Sequence, residues 1–196
     1  MLQIRIHGRG GQGVVTAAVM LSLAAFEQGR YAQAFPSFGS ERTGAPVVAF
    51  CRIDDRDIRL REPILEPDVL LVQDATLLHQ VDLFHGLKPD GYVLINARRD
   101  FQALGLGEIE QRFRRERLLT VPGTEIARKH LGRSTPNSVM LGGFAALSGL
   151  INLDAVSHAI RTRFAGRIAE ANIAAASEAF EYVAREMQEA AHAQTD

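Results

Sequence analysis

Cysteine is almost missing from this chain of 196 residues, and the single Cys51 excludes both a disulfide framework and a cysteine-ligated cluster built within it. Charge of one sign is missing too: 22 basic against 23 acidic residues leave a formal net charge of -1. That balance gives no electrostatic reason to expect nucleic acid or a membrane surface as a partner. The six histidines, at 7, 79, 85, 130, 158 and 192, show no H-E-x-x-H or other tight ligand spacing, so no metal site is expected. Long apolar runs are absent as well. Val139–Leu153 is too short and too glycine-rich to cross a bilayer, and Arg5, His7 and Arg9 interrupt the N-terminal apolar stretch where a signal peptide would lie. The expectation is a cytoplasmic protein, one domain over 1–196, long enough to bury a core unaided.

Glycine, by contrast, is concentrated where it carries meaning. The run Gly8-Arg9-Gly10-Gly11-Gln12-Gly13 follows the alternation Leu2, Ile4, Ile6 and precedes a helical stretch from Val14 to Phe26. A strand, a glycine turn and a helix in that order aim unpaired backbone N–H groups and the positive end of a helix dipole at one point, an anion site in outline. Gly8, Gly10 and Gly13 fit the G-x-G-x-x-G dinucleotide spacing. The second half of that fingerprint, an acidic residue ending the next strand, is missing: Tyr31–Phe35 runs into Pro36-Ser37-Phe38-Gly39. The plainer use of these glycines is a tight turn that lets strand and helix pack closely.

Beyond the turn, strands and helices alternate. Pro46–Ile53 and Ile58–Arg61 read as a hairpin across Asp54-Asp55-Arg56-Asp57. Val69–Gln73 reads as a strand, followed by a helix from Ala75 to His85; Gly91–Asn96 and Leu118–Val121 read as further strands, with Thr124 able to cap the helix after the last. From Val139 the chain is helical, and Ile168, Asn172, Ala176, Phe180, Val183 and Met187 form a stripe suited to packing on the body or on a partner. The pattern predicts an α/β fold with a mixed, mainly parallel sheet and a helical C-terminal part. One anomaly stands out: Gln3, Arg5 and His7 make one face of the first strand polar, which predicts that this face lines a site or meets another chain.

Ser37-Phe38-Gly39-Ser40-Glu41-Arg42-Thr43-Gly44-Ala45-Pro46 leads into Val47–Ile53. Taken with His7–Ala18, it resembles the gamma subunit of 2-oxoacid:ferredoxin oxidoreductases, the pyruvate enzymes most closely. Three runs agree: PDVLLVQD ending at Asp74, GYVLIN ending at Asn96, and NSVMLGGFAALSGL from Asn137; Asn172 in the last helix agrees as well. The resemblance implies a Rossmann-like three-layer domain in a complex that decarboxylates a 2-oxoacid on thiamine diphosphate with Mg, passes electrons through [4Fe-4S] clusters to ferredoxin or another acceptor, and transfers the acyl group to coenzyme A. It places those cofactors on the alpha, beta and delta chains and leaves no catalytic residue here. This chain would cover the coenzyme A side, with Gly8, Arg9, Gly10, Gln12 and Gly13 as one wall and Ser40, Arg42, Thr43 and Gly44 as the other. Arg42 would offer its planar fork to a phosphate; an ion pair with Glu41 or a partner chain is the alternative use, and Arg9 has the same alternative. Relatives often carry a second basic residue where Thr43 stands. A purely structural subunit and an independent dinucleotide-binding protein are the competing readings.

Overall fold

The structure, a computed structural model, describes residues 1–37 and 43–192. Six strands form one sheet in the order β2-β3-β1-β4-β5-β6, with β1 Leu2–Arg9, β2 Tyr31–Pro36, β3 Pro46–Asp54, β4 Val69–Val72, β5 Tyr92–Asn96 and β6 Leu118–Val121. Strands β1, β4, β5 and β6 run parallel, and β3 pairs antiparallel to β1 on one side and to β2 on the other. The fold is α/β with a mixed, mostly parallel sheet, as the alternation predicts.

Both edges of β3 are therefore taken. That is why Ile58–Arg61, predicted as its hairpin partner, forms no strand; the hairpin is β2 with β3 instead. The helix expected from Ala75 to His85 shrinks to one 3-10 turn, Ala75–His79, capped by Asp74, whose carboxylate accepts from the Thr76 amide. Thr124 does not cap the helix near it. Asn96 at the end of β5 does so from outside, its Oδ1 accepting the Thr124 N–H at 2.9 Å while its Nδ2 donates to Thr124 Oγ1.

One face of the sheet carries the main core. Helix α1, Val14–Glu27, is rich in strong helix formers and buries Ala17, Ala18, Leu21, Ala24 and Ala25, an i, i+4, i+7 stripe facing Ile4 and Ile6 of β1. After α2 (Gly107–Arg112) and α3 (Gly123–Leu131), helices α4 (Asn137–Ser148), α5 (Leu153–Arg163) and α6 (Gly166–His192) complete this layer. Glycine decides the closest approach in it: a Cβ at Gly142 would fall on the backbone carbonyl of Ala176, so α4 and α6 cross here only because that Cβ is missing. Ser138 Oγ donates to Asn172 Oδ1 at 2.7 Å, and Asn172 Nδ2 donates to Ile168 O, so the buried polar pair of α4 and α6 is satisfied across the crossing. The predicted α6 stripe packs on the body through Asn172, Ala176 and Val183, whereas Ile168 at its start is exposed.

The opposite face is covered by irregular chain. Arg5, whose neighbours on the sheet are apolar, donates through Nη2 to the carbonyls of Leu83 and His85, both at 2.7 Å, and Arg52 of β3 donates to Glu62 O. Arg52 is 2 % exposed and also lies over the Phe35 ring at 5.2 Å. The polar face of β1 is thus a set of clamps for the chain's own covering segment. His7, 5 % exposed, is buried there rather than displayed to a partner. Burial, and secondarily the charge of Arg5, pull its pKa down to about 3, so the ring is neutral at neutral pH.

Candidate functional site

β1 ends in the glycine turn, and the turn opens α1 at the carboxyl ends of the parallel strands, where open α/β sheets hold their ligands. Two glycines have steric reasons to be there. A Cβ at Gly8 would lie 2.6 Å from Val14 Cγ2, so this glycine lets the helix fold back against its own strand. Gly13 takes φ +72°, a left-handed conformation that side chains resist, and a Cβ on it would lie 2.6 Å from Asn137 Nδ2. Gly10 works through its backbone: its N–H donates to Ala45 O at 2.9 Å and its carbonyl accepts from Gly44 N at 3.1 Å. Gly10 also bridges Thr43, so the two motifs that are separate in sequence meet here. Ser40 and Arg42, predicted for the second wall, lie outside the described residues, as does Glu41.

The side chains of the turn are engaged within the chain. Arg9 donates to Thr76 Oγ1, Gln80 Oε1 and the Gly44 carbonyl, and its Nε lies 3.4 Å from Asp74 Oδ2. Gln12 accepts from its neighbour's backbone, Arg9 N, at 2.7 Å and donates through Nε2 to Asp74 Oδ2 at 2.7 Å. Partial burial acts to raise the Asp74 carboxyl pKa. Hydrogen bonds from Thr76 and Gln12, with the charge of Arg9, outweigh it and hold the group below its ordinary value. Sequence reasoning saw Arg9 and Gln12 but not Asp74 at the centre of their network. The signal available was Asp74 closing an apolar strand.

The other side of the turn is different. A recess of ≈ 320 Å³ opens between the start of α1, the loop after α3 and the first turns of α6. Gly11, Gly13, Thr16, Arg133, Asn137 and Arg167 are among the residues that line it. No Asp or Glu among the described residues lines it. α1 has no acidic residue in its first turn and no side-chain cap. His130, also in the lining, meets Glu178 Oε2 at 2.6 Å, and Lys129 shares that carboxylate. Hydrogen bonds from Lys129 and then His130 keep Glu178 below the ordinary carboxylate range, so it is a spent charge rather than a free anion near the recess.

A dinucleotide site is disfavoured by topology as well as by sequence. The fingerprint needs an acidic residue at the carboxyl end of a parallel strand paired to β1 on the side away from β4. On that side β1 is flanked by β3, which is antiparallel and starts at Pro46 where the acid would be needed. Metal or cluster binding also lacks its residues: Cys51 is buried, its thiol pushed up to about 12 by that burial, and no group of three His, Cys, Asp or Glu among the described residues is placed to hold an ion.

The sequence model of one family, described as pyruvate ferredoxin/flavodoxin oxidoreductase, matches residues 3–182. The chain belongs to that family. Pyruvate synthase subunit PorC of Methanothermobacter thermautotrophicus is 48 % identical over 183 residues, covering 93 % of this chain and 96 % of that one. The common gamma subunit of the pyruvate/ketoisovalerate oxidoreductases of Pyrococcus abyssi is 46 % identical, with 92 % and 96 % covered. Among solved structures, pyruvate oxidoreductase subunit PORC of Thermotoga maritima superposes with a TM-score of 0.76 at 36 % identity, covering 92 % of this chain and 95 % of that one. The gamma-subunit resemblance carried by the two sequence motifs stands, and with it the assignment to a multi-subunit oxidoreductase in which this chain is not catalytic alone.

Proposed function

We propose that this chain supplies the coenzyme A side of a 2-oxoacid:acceptor oxidoreductase complex and assembly contacts to alpha, beta and delta-type partners. Pyruvate is the first substrate to test, since the relatives' names include it, with branched-chain 2-oxoacids next. Thiamine diphosphate, Mg and [4Fe-4S] clusters belong on the partner chains in this reading, because one buried cysteine cannot ligate a cluster.

One observation carries the coenzyme A assignment. The α1 N-terminus lies at the carboxyl edge of the sheet with no side chain capping it and no acid in its first turn. Coenzyme A brings a diphosphate and a ribose phosphate, the kind of anion that such an end attracts. In this proposal Gly8, Gly10 and Gly13 shape the turn so that its backbone faces phosphate. Arg9 and Gln12 act on the ligand through Asp74, by fixing the turn, and Thr43 and Gly44 brace it from the segment just before β3. Arg42 and Ser40 complete the second wall. The scaffold reading draws on the same Arg9–Asp74 pair, which needs no ligand to be satisfied.

Hydrogen exchange on the purified complex separates the two. With saturating coenzyme A, amides 10–16 of this chain exchange more slowly than without it. If no amide of this chain changes while coenzyme A turns over, the chain is a scaffold.

A further inference from the structure

The sheet ends at β6, and among the described residues no strand pairs with its outer edge. β6 is laddered to β5 alone. Of Leu118, Leu119 and Thr120, only Leu118 makes a backbone bond beyond that ladder, from its N–H to the Arg115 carbonyl. Beside this edge lies a groove of ≈ 520 Å³, lined by all three residues. Successive residues of a strand face opposite sides of a sheet, so the groove runs round the edge itself rather than over one face. Each face contributes an apolar wall. Leu118 belongs to the cluster of Phe101 and Phe113 on one face, while Leu119, like Met187 of α6, packs against the core on the other. Phe101 and Met187 both line the groove.

The rim is acidic. Asp100, Glu110, Glu116, Glu186 and Glu189 line the groove against one basic side chain, Arg115. Glu110 accepts from Gln102 Nε2 and Asp100 from the Ala103 N–H, bonds that leave both charges in place. Neighbouring arginines are spent elsewhere: Arg114 pairs with Asp90 at 2.7 Å, Arg117 stacks on Tyr92 at 4.6 Å, and Arg112 and Arg185 lie over Phe113 and Tyr182. In a chain of formal net charge -1, five acids against one base make a local negative field.

An open strand edge is a template for another strand. Charge narrows what can use this one. A second copy docking through the same edge would set acids against acids, and Ala193-Gln194-Thr195-Asp196, the residues after α6, carry an acid and no base. We propose that the β6 edge is a docking groove for an extended basic segment of another subunit of the complex, which joins the sheet as a seventh strand. The proposal rests on the assembly contacts given above and not on the coenzyme A reading. Main-chain bonds to β6 set the register over about four residues, ~13 Å of extended chain. Basic side chains of the added strand meet Glu186 and Glu189 on the α6 wall and Asp100 and Glu110 on the other, while its apolar side chains fill the space between Phe101 and Met187.

The test uses the complex purified from cells that express all its subunits. Glu186→Lys/Glu189→Lys lowers the share of this chain retained in the complex about tenfold, and Glu186→Gln/Glu189→Gln falls between, with its loss growing as salt is raised. In the Lys variant, hydrogen exchange at amides 118–120 accelerates about tenfold while amides 69–72 of β4 do not change, which separates a vacated edge from an unfolded chain. A photo-reactive p-benzoylphenylalanine in place of Thr120 couples to a lysine- or arginine-rich segment of a partner subunit. Coupling to a second copy of this chain, to residues 193–196, or to nothing overturns the proposal. So does a Lys variant that assembles as fully as the parent. If the parent chain still co-purifies with its partners in any of those cases, the assembly reading stands without this groove; if it co-purifies with none, both fall.

Discussion

The glycine turn has two sides, and the polar side chains of its own motif are spent on one of them. Toward β4, Arg9, Gln12, Asp74, Thr76 and the Gly44 carbonyl answer one another's donors and acceptors. Toward α4 and α6, the α1 N-terminus has no capping side chain and no acid in its first turn. Residue type alone would assign the first side to the ligand, since it holds the motif's arginine and glutamine. Their bonds to Asp74 and Thr76 assign that arginine and glutamine to architecture and leave the helix end on the second side for a ligand. A polar group that already has its partners gains little from a ligand, because it must first give them up.

Breaking the closed side carries the largest expected effect. Asp74→Ala leaves Arg9 and Gln12 facing a gap and lowers stability by about 2–3 kcal/mol. The fall in Tm is roughly 5–10 °C for a chain of this size, readable by calorimetry, with the KM for coenzyme A in the surviving complex within threefold of the parent. A fall in affinity without a fall in Tm would place Asp74 on the ligand side instead.

His7 tests the opposite face of the same strand. Its pKa is depressed to about 3 in the fold against 6.5 in the open chain. The unfolded state therefore binds the extra proton first, and stability is lost as pH falls below 6.5. The loss is about 2 kcal/mol between pH 6.5 and 5. Urea titrations at the two pH values measure it, and His7→Asn removes most of the difference.

Gly13→Ala acts on both sides of the comparison. The left-handed φ and the collision with Asn137 cost about 1–2 kcal/mol, and displacement of the helix end raises the KM for coenzyme A about tenfold or more. Asn137→Ala is the mildest for stability, about 1 kcal/mol through the lost Ser138 bond.

Much of the fold was legible because its signals are local. Alternation marked β1 and β3, the apolar run marked β4, and the short runs Gly91–Asn96 and Leu118–Val121 marked β5 and β6, each to within a residue or two. Ile58–Arg61 misled because alternation cannot say whether a partner edge is free, and β1 and β2 had already taken both edges of β3. Gln3, Arg5 and His7 misled because a polar strand face can be clamped by the chain's own carbonyls, here those of Leu83 and His85. At the site, the glycine spacing pointed to the turn, but Asp74, which organises Arg9 and Gln12, carries no motif of its own. Asn137 and Asn172 were visible as family landmarks; that one closes a helix crossing while the other faces a recess is a fact of packing alone.

The most direct test is a structure of the complex with coenzyme A bound, read at one point. The account predicts a phosphate oxygen within hydrogen-bond distance of the first-turn N–H groups of α1, with the Arg9–Asp74 pair intact. A phosphate seated on Arg9, with Asp74 displaced from it, would contradict the account.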